Sequence, residues 1–214
     1  MPPHVTLAAL DLDAALEFLR TADPDLGRVI EAAGPFELQH RPTVTPFREL
    51  LRAIVYQQLS GKAAATIFSR VLAIYGKGRY PTPDELLQTP VERLRAAGVS
   101  RAKSLAMRDL AARTLDGTVP GVTAARRLDD EALIERLVAV RGVGRWTAEM
   151  LLIGGMGRPD VLPAHDLGIR KGFQITYRTR QLPDPERILK HGRRWRPFRT
   201  IASWYLWRAV DGQA

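Results

Sequence analysis

Hydrophobic residues recur at helical spacing along most of this chain. Between residues 47 and 59, Leu50, Leu51, Ile54 and Val55 fall one, three or four positions apart among polar residues, which predicts an amphipathic helix. The same spacing predicts helices over 12–19, 26–33, 62–75, 84–87, 91–97, 101–115, 128–139, 146–153 and 197–210, with shorter ones from about 165 and 183. Only two pieces, 43–45 and 174–179, lean towards β structure. The pattern therefore predicts an all-α protein.

Charge and composition narrow the choice of partner. The 214 residues include 32 Lys and Arg against 23 Asp and Glu, a formal net charge of +9, which favours a polyanionic partner. The sequence contains no cysteine, which excludes disulfides, thiolate zinc sites and a cysteine-held iron–sulfur cluster. Neither a signal-peptide pattern nor a membrane-spanning stretch is present. We therefore expect a soluble intracellular protein, cytoplasmic (nucleoid-associated) or nuclear, without a membrane partner.

A tight glycine turn joins two of the predicted helices. Residues 140–148 have the sequence V-R-G-V-G-R-W-T-A and lie between two amphipathic runs. Gly142 and Gly144 permit a positive φ and a close approach by another backbone, and the turn opens a helix whose free N–H groups suit a phosphate oxygen. We predict a helix-hairpin-helix that binds a nucleic-acid backbone at Gly142, Gly144, Arg145 and Thr147. The alternative is an ordinary helix–helix loop, because a lone G-x-G is a weak pattern.

Five short strings, in this order and spacing, resemble one family. They are Y-Q-Q-L-S at 56–60, G-V-S-R-A-K at 98–103, the hairpin at 140–148, L-P-A-H-D-L-G at 162–168 and W-R-P-F-R at 195–199. The chain resembles the helix-hairpin-helix DNA glycosylase superfamily, in its 3-methyladenine DNA glycosylase II branch, over roughly residues 43–208. It departs from the family pattern at Arg141, where proline is usual, and at His165, where a second aspartate is common.

The resemblance also implies an architecture. It implies two helical subdomains with a central cleft, one formed by 1–40 with 156–214 and the other by 41–155, with the hairpin at about 131–153. Asp166 and Trp146 would face each other across the cleft. We expect neither an iron–sulfur cluster nor the N-terminal β domain of the longer bacterial members.

Asp166 is the candidate catalytic residue. Breaking a C1′–N bond makes the sugar oxocarbenium-like, and a nearby carboxylate stabilises that charge or orients the attacking water. On local evidence alone, Asp166 is a helix N-cap, a role that Asp favours in any protein. Its place downstream of the hairpin favours the catalytic interpretation, and both roles can hold together.

The residue after the hairpin indicates the type of glycosylase. Family members that also cut the strand carry a lysine there, whose amine forms a Schiff base with C1′. This chain carries Trp146, so the resemblance implies a monofunctional enzyme that leaves an abasic site. The resemblance further implies a base pocket formed by Trp146, Trp207, Met150 and Leu167, in which a tryptophan π-face attracts cationic alkylated purines. Plain packing between helices is the alternative for Trp146.

The resemblance assigns further residues to DNA. Leu59 matches the residue that fills the hole left by a flipped base, and Gln58 could bond the orphaned base. A Leu at the end of an amphipathic helix is usually core, and Gln58 is equally suited to a plain helix end. The carbonyls of Val140 and Val143 could bind Na⁺ or K⁺. No other cofactor is expected.

The remaining charged residues allow weaker assignments. One or two of Arg193, Arg194, Arg196 and Arg199 are candidates for phosphate contacts, with Lys62, Arg101 and Lys103 behind them. Glu149 lies one helical turn from Arg145, which predicts an ion pair rather than a second catalytic carboxylate.

We therefore expect a monomer that binds double-stranded DNA with alkylated bases, and excises them to start base excision repair. Two alternatives stay open. One is a non-catalytic helix-hairpin-helix DNA-binding module. The other is a glycosylase of the same fold with a different lesion specificity.

Overall fold

The computed structural model describes residues 6–38, 45–76 and 78–212, and these residues form helices and turns without any strand. Its α-helices are α1 Leu12–Ala22, α2 Pro24–Ala33, α3 Pro46–Tyr56, α4 Gly61–Ala73, α5 Pro83–Gln88, α6 Val91–Ala96, α7 Arg101–Leu115, α8 Val122–Arg127, α9 Asp130–Val138, α10 Arg145–Met150, α11 Leu167–Thr176, α12 Pro185–His191 and α13 Arg199–Val210. The all-α prediction is confirmed. Of the two β-leaning pieces, residues 43–44 lie outside the described residues, and 174–176 complete α11.

Side chains that accept hydrogen bonds from the first turn begin many of these helices. Asp23 precedes Pro24 and caps α2, Ser60 caps α4, and Ser100 caps α7 as predicted. Thr82 and Glu85 form a reciprocal capping box on α5. Local sequence therefore fixes most helix starts.

Three helix predictions need correction. The helix predicted over 47–59 stops at Tyr56, because the chain turns at Gln57 and gives Gln58 a φ of +56°. The helix predicted over 146–153 is α10 followed by a π-helical turn, Leu151–Gly155. Helix α8 was not expected, because Val122 is the only large apolar residue among its six and no apolar period can be read there.

The chain folds into two compact units, Met1–Pro42 with Leu152–Ala214 and Thr43–Leu151. The predicted boundary between residues 40 and 41 falls outside the described residues. The predicted subdomain bounds and the central cleft stay predictions, and each unit is described by itself.

The terminal unit, Met1–Pro42 with Leu152–Ala214, is built around α13. Most residues of α13 are buried, which is typical of a helix covered on all sides. Helix α11 approaches it closely at Gly172, where an added Cβ would lie 2.0 Å from the Leu206 carbonyl oxygen. Any side chain at this position would push the two helices apart.

The middle unit, Thr43–Leu151, is built around α7. Helices α3, α5 and α6 pack on α7, and α9 packs on α10. Leu50, Ile54, Met107 and Leu110 are fully buried in this unit. This packing positions the hairpin and the residues that follow α3.

Candidate active site

The hairpin turn connects α9 to α10 and has one conformationally special glycine. Gly142 has a φ of +75°, a left-handed conformation that favours glycine. Gly144, which could also adopt a positive φ, has a φ of −93° instead and is the N-cap of α10. A Cβ added to Gly144 would meet no atom within 4 Å. The fold itself therefore does not require glycine at position 144. The open space beside Gly144 would let the backbone of a bound partner approach the turn closely.

Two side chains from other elements hold this turn. The Arg141 N–H donates to Asp109 Oδ2 of α7 at 2.7 Å, and Gln57 Nε2 donates to the Gly142 carbonyl at 3.0 Å. Proline, which is usual in the family at position 141, has no N–H for such a bond. With arginine instead of proline at position 141, the main-chain N–H can therefore bond to the Asp109 carboxylate.

Arg145 is engaged by carboxylates. Its guanidinium donates to Glu149 Oε1 at 2.9 Å and forms a two-point pair with Glu131. The Glu131 hydrogen bonds raise the pKa of Arg145 above its ordinary value, and Glu149 adds to the effect. The predicted Arg145–Glu149 ion pair is confirmed. Thr147 is buried, which argues against its hydroxyl as a phosphate donor, and the phosphate assignments stay predictions.

A cavity of about 410 Å³ lies between α3 and α10 in the middle unit. Trp146, Met150, Tyr56 and Gln58 are among its lining residues. Trp146 is 51% exposed, which contradicts plain packing between helices. The structure therefore brings two of the predicted pocket residues together beside the hairpin.

Asp166 lies at the start of α11 in the terminal unit and is half-buried. Its Oδ1 accepts hydrogen bonds from the Ile169 N–H at 2.8 Å and from Trp207 Nε1 at 2.9 Å. The N-cap interpretation is thus confirmed, and it leaves the catalytic one open. The structure places Trp207 against this carboxylate, whereas Leu167 is 53% exposed.

Gly168 makes room for this pair of side chains. A Cβ at Gly168 would lie 2.8 Å from Trp207 Cδ1 and 2.9 Å from Asp166 Oδ1. Sequence reasoning missed this role. The spacing of Gly168 and Gly172, four apart on one helix face, was the available sign of a close helix contact.

Leu59 lies in the residues that follow α3. It is 40% exposed, which contradicts its interpretation as a core residue. Gln58 is also exposed and carries the positive φ. Lys103, a weak phosphate candidate, instead donates to the carbonyls of Val55 and Gln57 at 2.8 and 2.6 Å. Sequence reasoning missed Lys103 and Asp109 as anchors, because their partners are far away in sequence.

The basic cluster near Trp195 divides into two groups. Arg199 forms a two-point pair with Asp160, at 2.6 and 2.9 Å, and Arg196 lies 3.8 Å from the same carboxylate. Arg193 and Arg194 are exposed. Arg199 is therefore engaged by Asp160, whereas Arg193, Arg194 and the exposed Arg196 keep their place among the phosphate candidates.

The structure also bears on the predicted ion sites. Within the described residues, no group of three or more His, Asp or Glu side chains could hold a metal ion. The Val143 N–H donates to the Val140 carbonyl at 3.0 Å, so the turn already uses one of the two carbonyls proposed for Na⁺ or K⁺.

Across 6–38, 45–76 and 78–212 we find no helix with the length and apolar character needed to cross a bilayer.

Comparison with known proteins decides the family. Residues 51–197, more than half of the chain, match the HhH-GPD superfamily of base excision DNA repair proteins. The chain belongs to this superfamily. The resemblance deduced from the five strings is confirmed.

Among members of the superfamily, DNA-3-methyladenine glycosylase 1 of Schizosaccharomyces pombe is 45% identical over 163 residues, which cover 76% of this chain and 72% of the relative. A solved structure of 3-methyladenine DNA glycosylase from the same yeast, in complex with abasic DNA, has a TM-score of 0.79 at 40% identity and covers 91% of this chain and 95% of that one. A DNA-3-methyladenine glycosidase structure from Bacillus halodurans has a TM-score of 0.83 at 35% identity, covering 92% and 88%.

Proposed function

We propose that this protein is a monofunctional DNA glycosylase that flips and excises alkylated bases, mainly cationic N-methylated ones, and leaves an abasic site for base excision repair. The observation that carries the proposal is the Asp166 carboxylate, oriented by the first turn of α11 and by the Trp207 indole. The similarity to 3-methyladenine glycosylases supports the choice of substrate.

In the proposed reaction, the C1′–N bond breaks and its electron pair leaves with the base. A cationic base departs as a neutral molecule, so its charge already makes it a good leaving group. Asp166 stabilises the positive charge that develops at C1′ or orients the water that attacks it. The water oxygen bonds to C1′ and releases a proton, which yields the abasic sugar.

Strand cleavage requires an amine that forms an imine with C1′. Trp146 takes the position where strand-cutting members carry lysine, and an indole cannot form this imine. The proposed enzyme therefore stops at the abasic site, and its chemistry requires no cofactor.

Each unit contributes proposed contacts to the base. In the middle unit these are Trp146 and Met150, where the exposed indole offers a π-face that attracts a cationic purine. In the terminal unit they are Trp207 and Leu167. Because Trp207 also bonds Asp166, its indole would link base recognition to the catalytic carboxylate.

The proposed grip on duplex DNA lies on the middle unit. Gly142 and Gly144 would admit the phosphate backbone to the turn, with Thr147 contributing through its main chain. A monovalent cation on the carbonyls of Val140 and Val143 would bridge the turn to phosphate. Leu59 would fill the gap left by the flipped base, and Gln58 would bond nearby bases. We propose that the protein acts as a monomer.

A non-catalytic DNA-binding module is the alternative function. It predicts no cavity beside the hairpin and an exposed, dispensable Asp166. The cavity beside α10 and the two hydrogen bonds on Asp166 Oδ1 argue against it.

Incubation with single-lesion duplexes followed by alkali tests the proposal, because alkali breaks the strand wherever a base has been lost. The lesions are 3-methyladenine, 7-methylguanine, hypoxanthine, 1-methyladenine, 3-methylcytosine and ethenoadenine, with undamaged duplex as the control. We expect alkali-dependent breaks at cationic methylated purines. Binding to all duplexes with no break in any of them would support the binding module.

A further inference from the structure

Residues 57–60, here called the Leu59 loop, begin where α3 ends. A helix leaves its last carbonyl oxygens without partners inside the helix, and they need donors from elsewhere. At the end of α3 the donor is Lys103 of α7, whose Nζ lies 2.8 Å from the Val55 oxygen and 2.6 Å from the Gln57 oxygen. Lys103 is 46 residues or more from both acceptors, so the contact is tertiary.

This ammonium serves the protein rather than a phosphate. Two of the three N–H groups of a lysine point to carbonyls here. Burial lowers the pKa of Lys103 below its ordinary value, as expected for a cation partly removed from water. A positive charge at a helix C-terminus also stabilises the helix dipole.

The loop that follows is unusual in both conformation and surface. Gln58 has a φ of +56°, which a non-glycine residue keeps only where its surroundings hold it. Leu59 then projects an apolar side chain that is 40% exposed, and Ser60 starts α4 by accepting from the Ala63 N–H. A leucine exposed to this degree contributes less to the stability of the fold than a fully buried one.

The loop is also tied to the hairpin turn. Gln57 accepts from Lys103 with its carbonyl and donates to the Gly142 carbonyl with its side chain. Helix α7 holds the other side of the turn through Asp109, which accepts from the Arg141 N–H. One helix thus fixes both the Leu59 loop and the hairpin turn.

We propose that Lys103 is a positioning residue, which fixes the end of α3. It thereby sets the position of the Leu59 side chain, the proposed wedge that fills the gap left by a flipped base, relative to the hairpin turn. The role rests on the proposed glycosylase function. Lys103 itself touches neither the base nor the reacting sugar.

A double-mutant cycle between Lys103→Met and Leu59→Ala tests this role through single-turnover base release. Removing bonds donated by a charged group should lower the rate about tenfold. Because Lys103 acts through Leu59, the two losses should not multiply. The single-turnover rate of the double variant should lie within about twofold of the rate of the slower single variant. Arg70→Met, which removes an exposed charge from the last turn of α4 in the same unit, is the matched control and should stay within about twofold of wild type.

A second readout follows the wedge itself. With 2-aminopurine beside the lesion, Lys103→Met and Leu59→Ala should both reduce the fluorescence rise on binding, while Lys103→Arg, which keeps a cation at the carbonyls, should restore most of it. If Lys103→Met fails to fold, Lys103→Gln takes its place in the cycle.

The outcomes separate the two proposals. Multiplicative losses in the cycle, or an equal loss in Arg70→Met, would overturn the positioning role while leaving the glycosylase function intact. A wild type that releases no base from any alkylated duplex would overturn the function and this role with it.

Discussion

The indole N–H of Trp207 donates a 2.9 Å hydrogen bond to Asp166 Oδ1, the same oxygen that caps α11 through the Ile169 N–H. Two donors on one oxygen fix the orientation of the carboxylate. The carboxylate therefore has a defined direction before any substrate arrives, which is the condition for electrostatic stabilisation without reorganisation.

Asp166→Asn should abolish base release while leaving binding to damaged duplex almost unchanged. The amide oxygen can still accept from Ile169 and Trp207, so the cap survives, but the negative charge is lost. We expect the single-turnover rate to fall by at least about 10²–10³-fold, judged by the loss of comparable electrostatic groups. Near-normal release by this variant would remove the catalytic assignment.

Gly168→Ala should impair catalysis more than folding. The new methyl group would lie 2.8 Å from Trp207 Cδ1 and 2.9 Å from Asp166 Oδ1, so the indole or the carboxylate must move. A displacement of this kind should slow base release by about 10- to 100-fold. Gly121→Ala is the control, because a Cβ there meets nothing within 4 Å. Equal rates in both variants would contradict the prediction.

Leu59→Ala should keep the fold but weaken lesion-specific binding and turnover. The side chain is 40% exposed, so urea unfolding should show a loss well below the roughly 2–5 kcal/mol of a buried leucine. Leu51→Ala, which truncates a fully buried leucine of α3, supplies the matched comparison. A loss at Leu59 as large as that at Leu51 would argue for a core role.

The wild type should release base without nicking the strand, and borohydride should trap no covalent adduct. The trap requires an imine between an amine and C1′, and Trp146 supplies no such amine. A strand-cutting glycosylase run in parallel shows that the trap works. An adduct at a level comparable to base release would overturn the monofunctional assignment, and exposed Lys171 on α11 would be the first residue to replace.

The buried carboxylate of Asp23 should make stability fall in acid. Burial alone raises its pKa, but hydrogen bonds from His191, Tyr177, Trp195 and the Leu26 N–H lower it to about 2. Since the folded pKa lies below the unfolded one of 3.8, the contribution is present above pH 3.8 and is lost as the pH falls towards 2. It should be on the order of 2 kcal/mol at neutral pH.

Urea unfolding of wild type and Asp23→Asn at pH 5 and pH 3 measures this contribution. The stability difference between the two proteins should shrink by about 1 kcal/mol at the lower pH. A difference that stays constant between the two values would show that Asp23 keeps an ordinary pKa in the folded state.

The sequence by itself determined the local features of this protein. Helical periods, capping residues such as Ser100, the positive φ of Gly142 and the Arg145–Glu149 pair all depend on residues at most four or five positions apart. Such interactions recur wherever the pattern occurs, so they can be predicted without the fold. The family also followed from sequence, because its strings keep their order and spacing.

Only the tertiary structure decided where α3 ends, how the hairpin turn is held and why Gly168 is a glycine. Lys103, Asp109 and Trp207 act on partners 32 to 48 residues away in sequence. The apolar period runs on to Leu59, yet the chain leaves the helix at Gln57, where the carbonyl meets a partly buried ammonium. Long-range contacts of this kind leave no period in the sequence, because they arise only once packing has brought the helices together.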